Sequence, residues 1–178
     1  LAGFHYPGHT ELFAHLTQTR RYNMMFTGGP LRVVLATVHI PLNGLWGRLN
    51  IGAVFQPIEL MHQALVDWFD IPKPRLAVCG LNPHAGESGK MGTEEIETVS
   101  SAVEEARRLG CDAHGPYAAD ALFYHAFRGE YDAVVAMYHD QGLIPFKMIS
   151  VDSGVNFTAG LKIVRTSPDH GTAFDIAG

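Results

Sequence analysis

Leu31-Arg32-Val33-Val34-Leu35-Ala36-Thr37-Val38-His39 is the stretch on which the fold turns. Residues 31–38 are apolar almost throughout and rich in β-branched side chains, as in a strand covered on both faces. An imidazole follows at once. Two further runs repeat the arrangement: Arg75 to Gly80 (RLAVCG), with His84 four residues beyond it, and Asp132 to Tyr138 (DAVVAMY), with His139 directly after. Leu161 to Arg165 (LKIVR) reads as a shorter fourth strand. Helical patterns separate the runs, so the expected architecture is α/β with a mostly parallel sheet and helices in layers on it.

The helices follow from apolar spacing and end signals. Met61, Ala64, Leu65, Trp68 and Phe69 form one face of a helix from Pro57 to Phe69, broken by Ile71-Pro72-Lys73-Pro74. Thr93 caps a second, with Glu94, Glu95 and Glu97 at its positive end and Ile96, Val99, Val103 and Ala106 as its stripe; Gly110 closes it. Thr10 opens a helix to about Tyr22, and Asp120 one to about Phe127. Residues 43–56 and 81–92 read as the widest loops.

Composition bounds the function. The chain has 178 residues, 47% hydrophobic and 17% charged, with a formal charge of −5. That suits one core-forming domain over residues 1–178, since roughly 100–200 residues per domain is usual. A negative chain without a basic run lacks the electrostatic footprint of a nucleic-acid binder. No apolar stretch reaches the ~18 residues of a membrane span. Cys79 and Cys111 form no CxxC pair and read as reduced core residues, which predicts a cytoplasmic protein. The opening without Met and the ending on Ile-Ala-Gly suggest that N-terminal and C-terminal segments of a longer polypeptide are absent.

Histidine stands out: there are ten, against thirteen Lys and Arg together. His39, His84 and His139 each follow a strand, and ligands of open α/β sheets bind outside the carboxyl ends of the strands. Three neutral imidazoles with open positions left over make a catalytic metal site. The alternative is three separate hydrogen-bonded loop residues, and the sequence leaves open whether the strand ends meet in one sheet or across a dimer. Glu87 or Asp140 can orient a ligating imidazole, although Asp140 equally suits capping a turn from Gln141. Gly86, Gly89, Gly92 and Lys90 do not make a phosphate loop, because the first glycine is misplaced and Met91 follows the lysine. Lys147, Asn156 and Arg165 are spaced nine apart and suit a small anionic substrate, with solvated surface residues as the plain alternative. His9 and Thr10 stand at a helix start, an anion-friendly place that capping also explains.

Five motifs carry a specific resemblance when taken in order: Pro7-Gly8-His9-Thr10-Glu11, His39-Ile40-Pro41-Leu42, Gly80-Leu81-Asn82-Pro83-His84-Ala85-Gly86-Glu87, Met137-Tyr138-His139-Asp140-Gln141-Gly142, and Arg165-Thr166-Ser167-Pro168-Asp169-His170-Gly171-Thr172-Ala173. Together they resemble the 4-hydroxythreonine-4-phosphate dehydrogenases of vitamin B6 biosynthesis. The segment from His170 to Gly178 also resembles the nucleotide-contacting stretch of isocitrate and isopropylmalate dehydrogenases, which implies their α/β/α fold and makes this chain the central domain of a two-domain enzyme.

The resemblance implies NAD-dependent oxidation of 4-phosphooxy-L-threonine followed by decarboxylation. It implies a divalent metal (zinc first, magnesium or cobalt otherwise) on His39, His84 and His139, shared between the subunits of a homodimer. His9, Thr10, Lys147, Asn156 and Arg165 fall on substrate-binding positions, Lys147 and Asp120 on catalytic ones, and His170, Gly171, Thr172 and Ala173 on the NAD stretch. The group that takes the hydroxyl proton stays open between Asp120, Lys147 and a metal-bound water. Phosphothreonate and aromatic dihydrodiol dehydrogenases share these motifs. A metal-dependent hydrolase or aldolase, or a non-catalytic dimerisation domain, are the readings from other classes. Lys162 and the run 43–56 depart from the family pattern.

Overall fold

The computed structural model describes Tyr6 and residues 8–169. Its elements in chain order are α1 (His9–Leu16), β1 (Asn23–Gly28), β2 (Leu31–Leu35), α2 (Ile51–Phe69), β3 (Arg75–Cys79), α3 (Ser100–Arg108), β4 (Asp112–Tyr117), α4 (Ala119–Phe127), β5 (Ala133–Ala136), α5 (His139–Ser150), β6 (Val155–Ala159) and β7 (Thr166–Pro168). They build one seven-stranded sheet in the order β4-β3-β5-β2-β1-β6-β7. Pairing is parallel from β4 through β3 and β5 to β2, and antiparallel from β2 through β1 and β6 to β7.

Strand alternation divides the core in two. Val34, Leu76, Val78, Ala133 and Val135 meet α2 and α3 on one face. Val33, Leu35, Ala77, Cys79, Val134 and Ala136 meet α4 and α5 on the other. Both faces are dry, which is why the central strands read as continuous apolar runs. The helices that follow the neighbouring strands β2 and β5 therefore lie on opposite faces, and the sheet opens a crevice between the carboxyl ends of those two strands.

The expected mostly parallel α/β layering is what forms, with several local differences. Helix α2 begins six residues before Pro57, because the Asn50 side chain caps it by accepting from the Ala53 N–H at 3.0 Å. Pro57 lies buried inside the helix, and residues 43–56 hold a 3-10 turn (Leu42–Gly47) plus the first turns of α2 rather than one loop. Helix α1 stops at Leu16, with Gln18 at φ +52°, so that β1 can form. Residues 161–165 are not a strand. The strand ahead of them is β6, between β1 and β7, whose Asn156 and Thr158 are buried polar residues and break the apolar signature. The strand β4 (DAHGPY) escaped notice for the same reason.

The helix expected from Thr93 starts with a π-turn over Glu95–Val99 before α3. That extra residue per turn rotates the positions ahead of Val99. Ile96, expected in the buried stripe, is 56% exposed, while Glu95 is 3% exposed. Helix α5 begins at His139 with Tyr138 as its N-cap residue, so Asp140 sits in the first turn and does not cap from in front. Asp120 likewise sits inside the first turn of α4, behind Ala118. Among the described residues no helix is long and apolar enough to cross a membrane.

Close packing of α5 on the sheet depends on Gly142. A Cβ there would lie 2.7 Å from Leu35 and 2.9 Å from Val33 side-chain carbons. Gly142→Ala is therefore expected to overpack this layer and cost about 1–3 kcal/mol, read from urea denaturation midpoints. Cys79 is fully buried and burial pushes its thiol pKa up, which keeps it neutral through pH 8. Alkylation at pH 8 is expected to leave Cys79 unlabelled in the folded protein and to label it in denaturant, checked by peptide mass spectrometry.

Candidate active site at the strand ends

His84, His139 and His39 follow β3, β5 and β2, which are adjacent in that order in one sheet. With strands about 4.8 Å apart, the three arms occupy roughly 10 Å of one edge. His39 and His139 approach closest, with ring centroids 5.7 Å apart. They line one cleft with Val38, Pro41, Leu42 and Asp140, while His84 lines the neighbouring cleft with Asn82, Asp120 and Gln141; Tyr138 borders both. Among the described residues no three His, Cys, Asp or Glu side chains lie close enough to hold one ion. The strand ends thus belong to one sheet, and the imidazoles share an edge without closing on a common point.

Hydrogen bonds tie the three arms together. The Thr37 hydroxyl donates to the Met137 carbonyl at 2.7 Å, joining the positions two residues ahead of His39 and His139. The Gln141 side chain donates to the Gly80 carbonyl at 2.8 Å and accepts from the Met137 N–H at 2.7 Å, joining the His139 and His84 arms. Sequence reasoning gave neither Thr37 nor Gln141 a role. Gln141 stood in a quoted motif, but only the fold brings Gly80 to it. The Nδ1 atom of His139 bonds Asp140 Oδ1 at 2.7 Å, which leaves Nε2 as the ring's remaining ligating atom. An imidazole oriented by a carboxylate, 5.7 Å from a second imidazole, is a donor set that fits a divalent metal.

The backbone around His84 is unusual. His84, Ala85, Gly86, Glu87 and Ser88 all have positive φ, from 43° to 76°, forming a left-handed turn. Each non-glycine residue in that region costs about 1–2 kcal/mol, so four of them cost about 4–8 kcal/mol. A penalty of that size is comparable to the stability of a whole domain, and surrounding contacts must hold the turn in place. Asn82 provides them: its N–H donates to Glu95 Oε1 at 2.7 Å, and its side-chain amide donates to Glu95 Oε2 at 3.0 Å and Glu94 Oε2 at 2.5 Å.

The anion-binding candidates collect elsewhere. Asn156 pairs with Phe26, and Thr158 pairs with Met24 while donating its N–H to the Arg165 carbonyl. Asn156, Thr158 and Arg165 therefore project from the side of the sheet covered by α5, where Phe26 stacks on Phe146 at 5.9 Å. Lys147 follows on α5, its Nζ 3.3 Å from Asp169 Oδ1. Buried atoms Asn156 Oδ1, Thr158 Oγ1, Arg165 Nη1 and Asp169 Oδ2 have no partner among the described residues. Unpaired buried polar atoms are costly, which makes this patch a candidate for receiving polar groups. It lies across β1 from the histidine edge, about 10–15 Å away by strand spacing. Thr10 is buried and His9 exposed at the start of α1, whose N-cap position is Gly8. His170, Gly171, Thr172 and Ala173 lie outside the described residues.

A family model described as the pyridoxal phosphate biosynthetic protein PdxA matches residues 1–178. The 4-hydroxythreonine-4-phosphate dehydrogenase of Desulforapulum autotrophicum is 55% identical over 99% of this chain and 52% of its own length. The D-threonate 4-phosphate dehydrogenase of Cupriavidus necator is 51% identical over 99% of this chain and 53% of its own length. Among solved structures, a 4-hydroxythreonine-4-phosphate dehydrogenase from Klebsiella pneumoniae superposes with a TM-score of 0.90 at 48% identity, covering 98% of this chain and 53% of that one. A terephthalate 1,2-cis-dihydrodiol dehydrogenase from Burkholderia xenovorans gives 0.82 at 33% identity, covering 96% and 55%. The chain spans about half the length of the relatives it matches. With the mostly parallel, mixed sheet, the histidine-bearing strand ends and a match along its whole length, this chain belongs to the PdxA family of pyridoxal phosphate biosynthetic proteins.

Proposed function

We propose that residues 1–178 form one domain, the metal- and substrate-binding part of a cytoplasmic NAD-dependent dehydrogenase. It oxidises 4-phosphooxy-L-threonine to 2-amino-3-oxo-4-phosphooxybutanoate, which decarboxylates to 3-amino-2-oxopropyl phosphate. The observation that carries this reading is the placement of three imidazole-bearing arms on adjacent strand ends at the crevice of a PdxA-family sheet. His39, His84 and His139 would hold a divalent ion, zinc before magnesium or cobalt. Because the three do not close on one point within a chain, the ligand set is completed between the subunits of a homodimer. In such a dimer the anion-binding patch of one subunit would complete the site at the metal-binding edge of the other.

In the reaction the C3 hydrogen leaves as hydride to NAD⁺ and the C3 hydroxyl gives up a proton. The 3-oxo acid then loses CO₂ as its C1–C2 electron pair passes to the carbonyl, and C2 takes up a proton. When bound, the divalent ion that His39, His84 and His139 would hold would supply Lewis acidity to both stages. Lys147, Asn156 and Arg165, with His9 and Thr10, bind the phosphate and carboxylate, so that binding energy at the anionic ends orients C3. Among this chain's own residues, Asp120, which lines the cleft of His84, and Lys147 are the candidates for taking the hydroxyl proton. His170, Gly171, Thr172 and Ala173 contact NAD.

A second substrate is favoured by the 51% identity to a D-threonate 4-phosphate dehydrogenase, which matches the identity to several 4-hydroxythreonine-4-phosphate enzymes. Phosphothreonate has the same phosphate and the same C3 alcohol and differs at C2. NAD reduction by the full-length protein, assayed with each compound and with aromatic dihydrodiols, separates these readings. Phosphothreonine is expected to give the highest kcat/KM, and a higher value for another compound would overturn the assignment.

His84→Ala and His139→Ala in the full-length protein are expected to lose stoichiometric metal and NAD reduction together. Metal content at the wild-type level by elemental analysis would refute the ligand assignment. Lys147→Ala and Arg165→Ala are expected to lower kcat/KM for phosphothreonine about tenfold or more, as for loss of a charged hydrogen bond. Unchanged kinetics would return both to surface residues.

A further inference from the structure

Glu95 is the carboxylate that helix periodicity places outside and the fold places inside. The π-turn over Glu95–Val99 exposes Ile96 and buries Glu95. A carboxylate at a helix start ordinarily faces water and favours the positive end of the helix. This one instead faces the loop that carries His84, with both oxygens accepting from Asn82. The loop is shaped to admit it. A Cβ on Gly80 would lie 2.9 Å from Glu95 Oε1 and 2.9 Å from the Ala85 Cα, and one on Gly86 would lie 2.6 Å from Glu95 Oε2. A Cβ on Gly92 would lie 2.5 Å from the Asn82 side-chain nitrogen. Three glycines thus leave room for one buried pair, Asn82 and Glu95, and the left-handed residues 84–88 start two positions after Asn82.

We propose that Glu95 is a positioning residue: through Asn82 it holds residues 84–88 in their left-handed turn and so sets the direction of the His84 imidazole. The proposal rests on the reading of His84 as a metal ligand for its consequence, though not for its geometry. A buried charged acceptor with two donors from one residue fixes where Asn82 sits, and Pro83 gives the chain little freedom before His84. Outer-sphere contacts of this kind orient a ligand without touching the ion.

The test uses Glu95→Gln in the full-length protein, which keeps the side chain's size but turns an amide donor toward the Asn82 amide. Backbone hydrogen exchange at residues 84–88 is expected to rise about tenfold or more, as for loss of a hydrogen bond to a charged group, while β3 exchange stays unchanged. Zinc affinity, titrated against a competing chelator, is expected to fall about 10–100-fold. Asn82→Ala, at a half-buried loop position, is the second variant should the first fail to fold, and the same direction is expected. Wild-type exchange at 84–88 in a folded variant would overturn the proposal. So would faster exchange with undiminished zinc affinity while His84→Ala abolishes zinc binding. Wild-type zinc binding by His84→Ala would instead overturn the ligand reading, and the exchange data would still decide whether Glu95 holds the turn.

Discussion

The parallel pairing of β2 with β5 is the constraint on which the rest of the molecule depends. Val33, Val34 and Leu35 register against Val134, Val135 and Ala136, and the pairing runs on through Ala36 and Thr37 to the carbonyls of Ala136 and Met137. That extension carries the two chains side by side to His39 and His139. The helices leaving these strands go to opposite faces, which leaves a crevice between the strand ends. Slipping this pair by one residue would exchange the two core faces and separate the imidazoles at once.

The edge so formed is rigid at its base and strained at its rim. The Thr37 hydroxyl adds a second donor to the Met137 carbonyl, and Gln141 pairs the Met137 N–H and the Gly80 carbonyl, so that side chains extend the backbone pairing across three strand ends. The left-handed turn at His84 works against local preference and survives because the Asn82–Glu95 pair and three glycines over-determine it. The sheet's opposite flank shows a related economy. Asn156 and Thr158 are buried and Arg165 half-buried, each with a polar atom unpaired among the described residues, a cost that the proposed binding of an anionic substrate would offset.

These two regions lie on either side of β1 in the sheet. The relatives are about twice as long as this chain. Both facts agree with the proposal that catalysis needs more polypeptide than residues 1–178, in the form of further segments and a second subunit. The division of labour proposed here, with metal ligands on one edge and phosphate ligands on another flank, makes sense only in such an assembly.

Much was legible in the residues. Buried parallel strands are apolar on both faces, so 31–38, 75–80 and 132–138 announced themselves, and the histidine after each marked the edge at which ligand binding is proposed. The outer strands β4 and β6 did not, because they carry Gly, Pro, Asn and Thr in place of an apolar pattern. Residues 161–165, apolar in part, leave Ile163 and Val164 exposed instead. The sequence by itself determined the sheet's class, its central strands and the residue types at its working edge, since these follow from local periodicity and chain order. Only the tertiary structure decided that β3, β5 and β2 are neighbours, that Gln141 reaches Gly80, and that Glu95 rather than Ile96 turns inward. Strand order and a one-residue change of helical winding depend on contacts between segments far apart in the chain, and no local pattern encodes them.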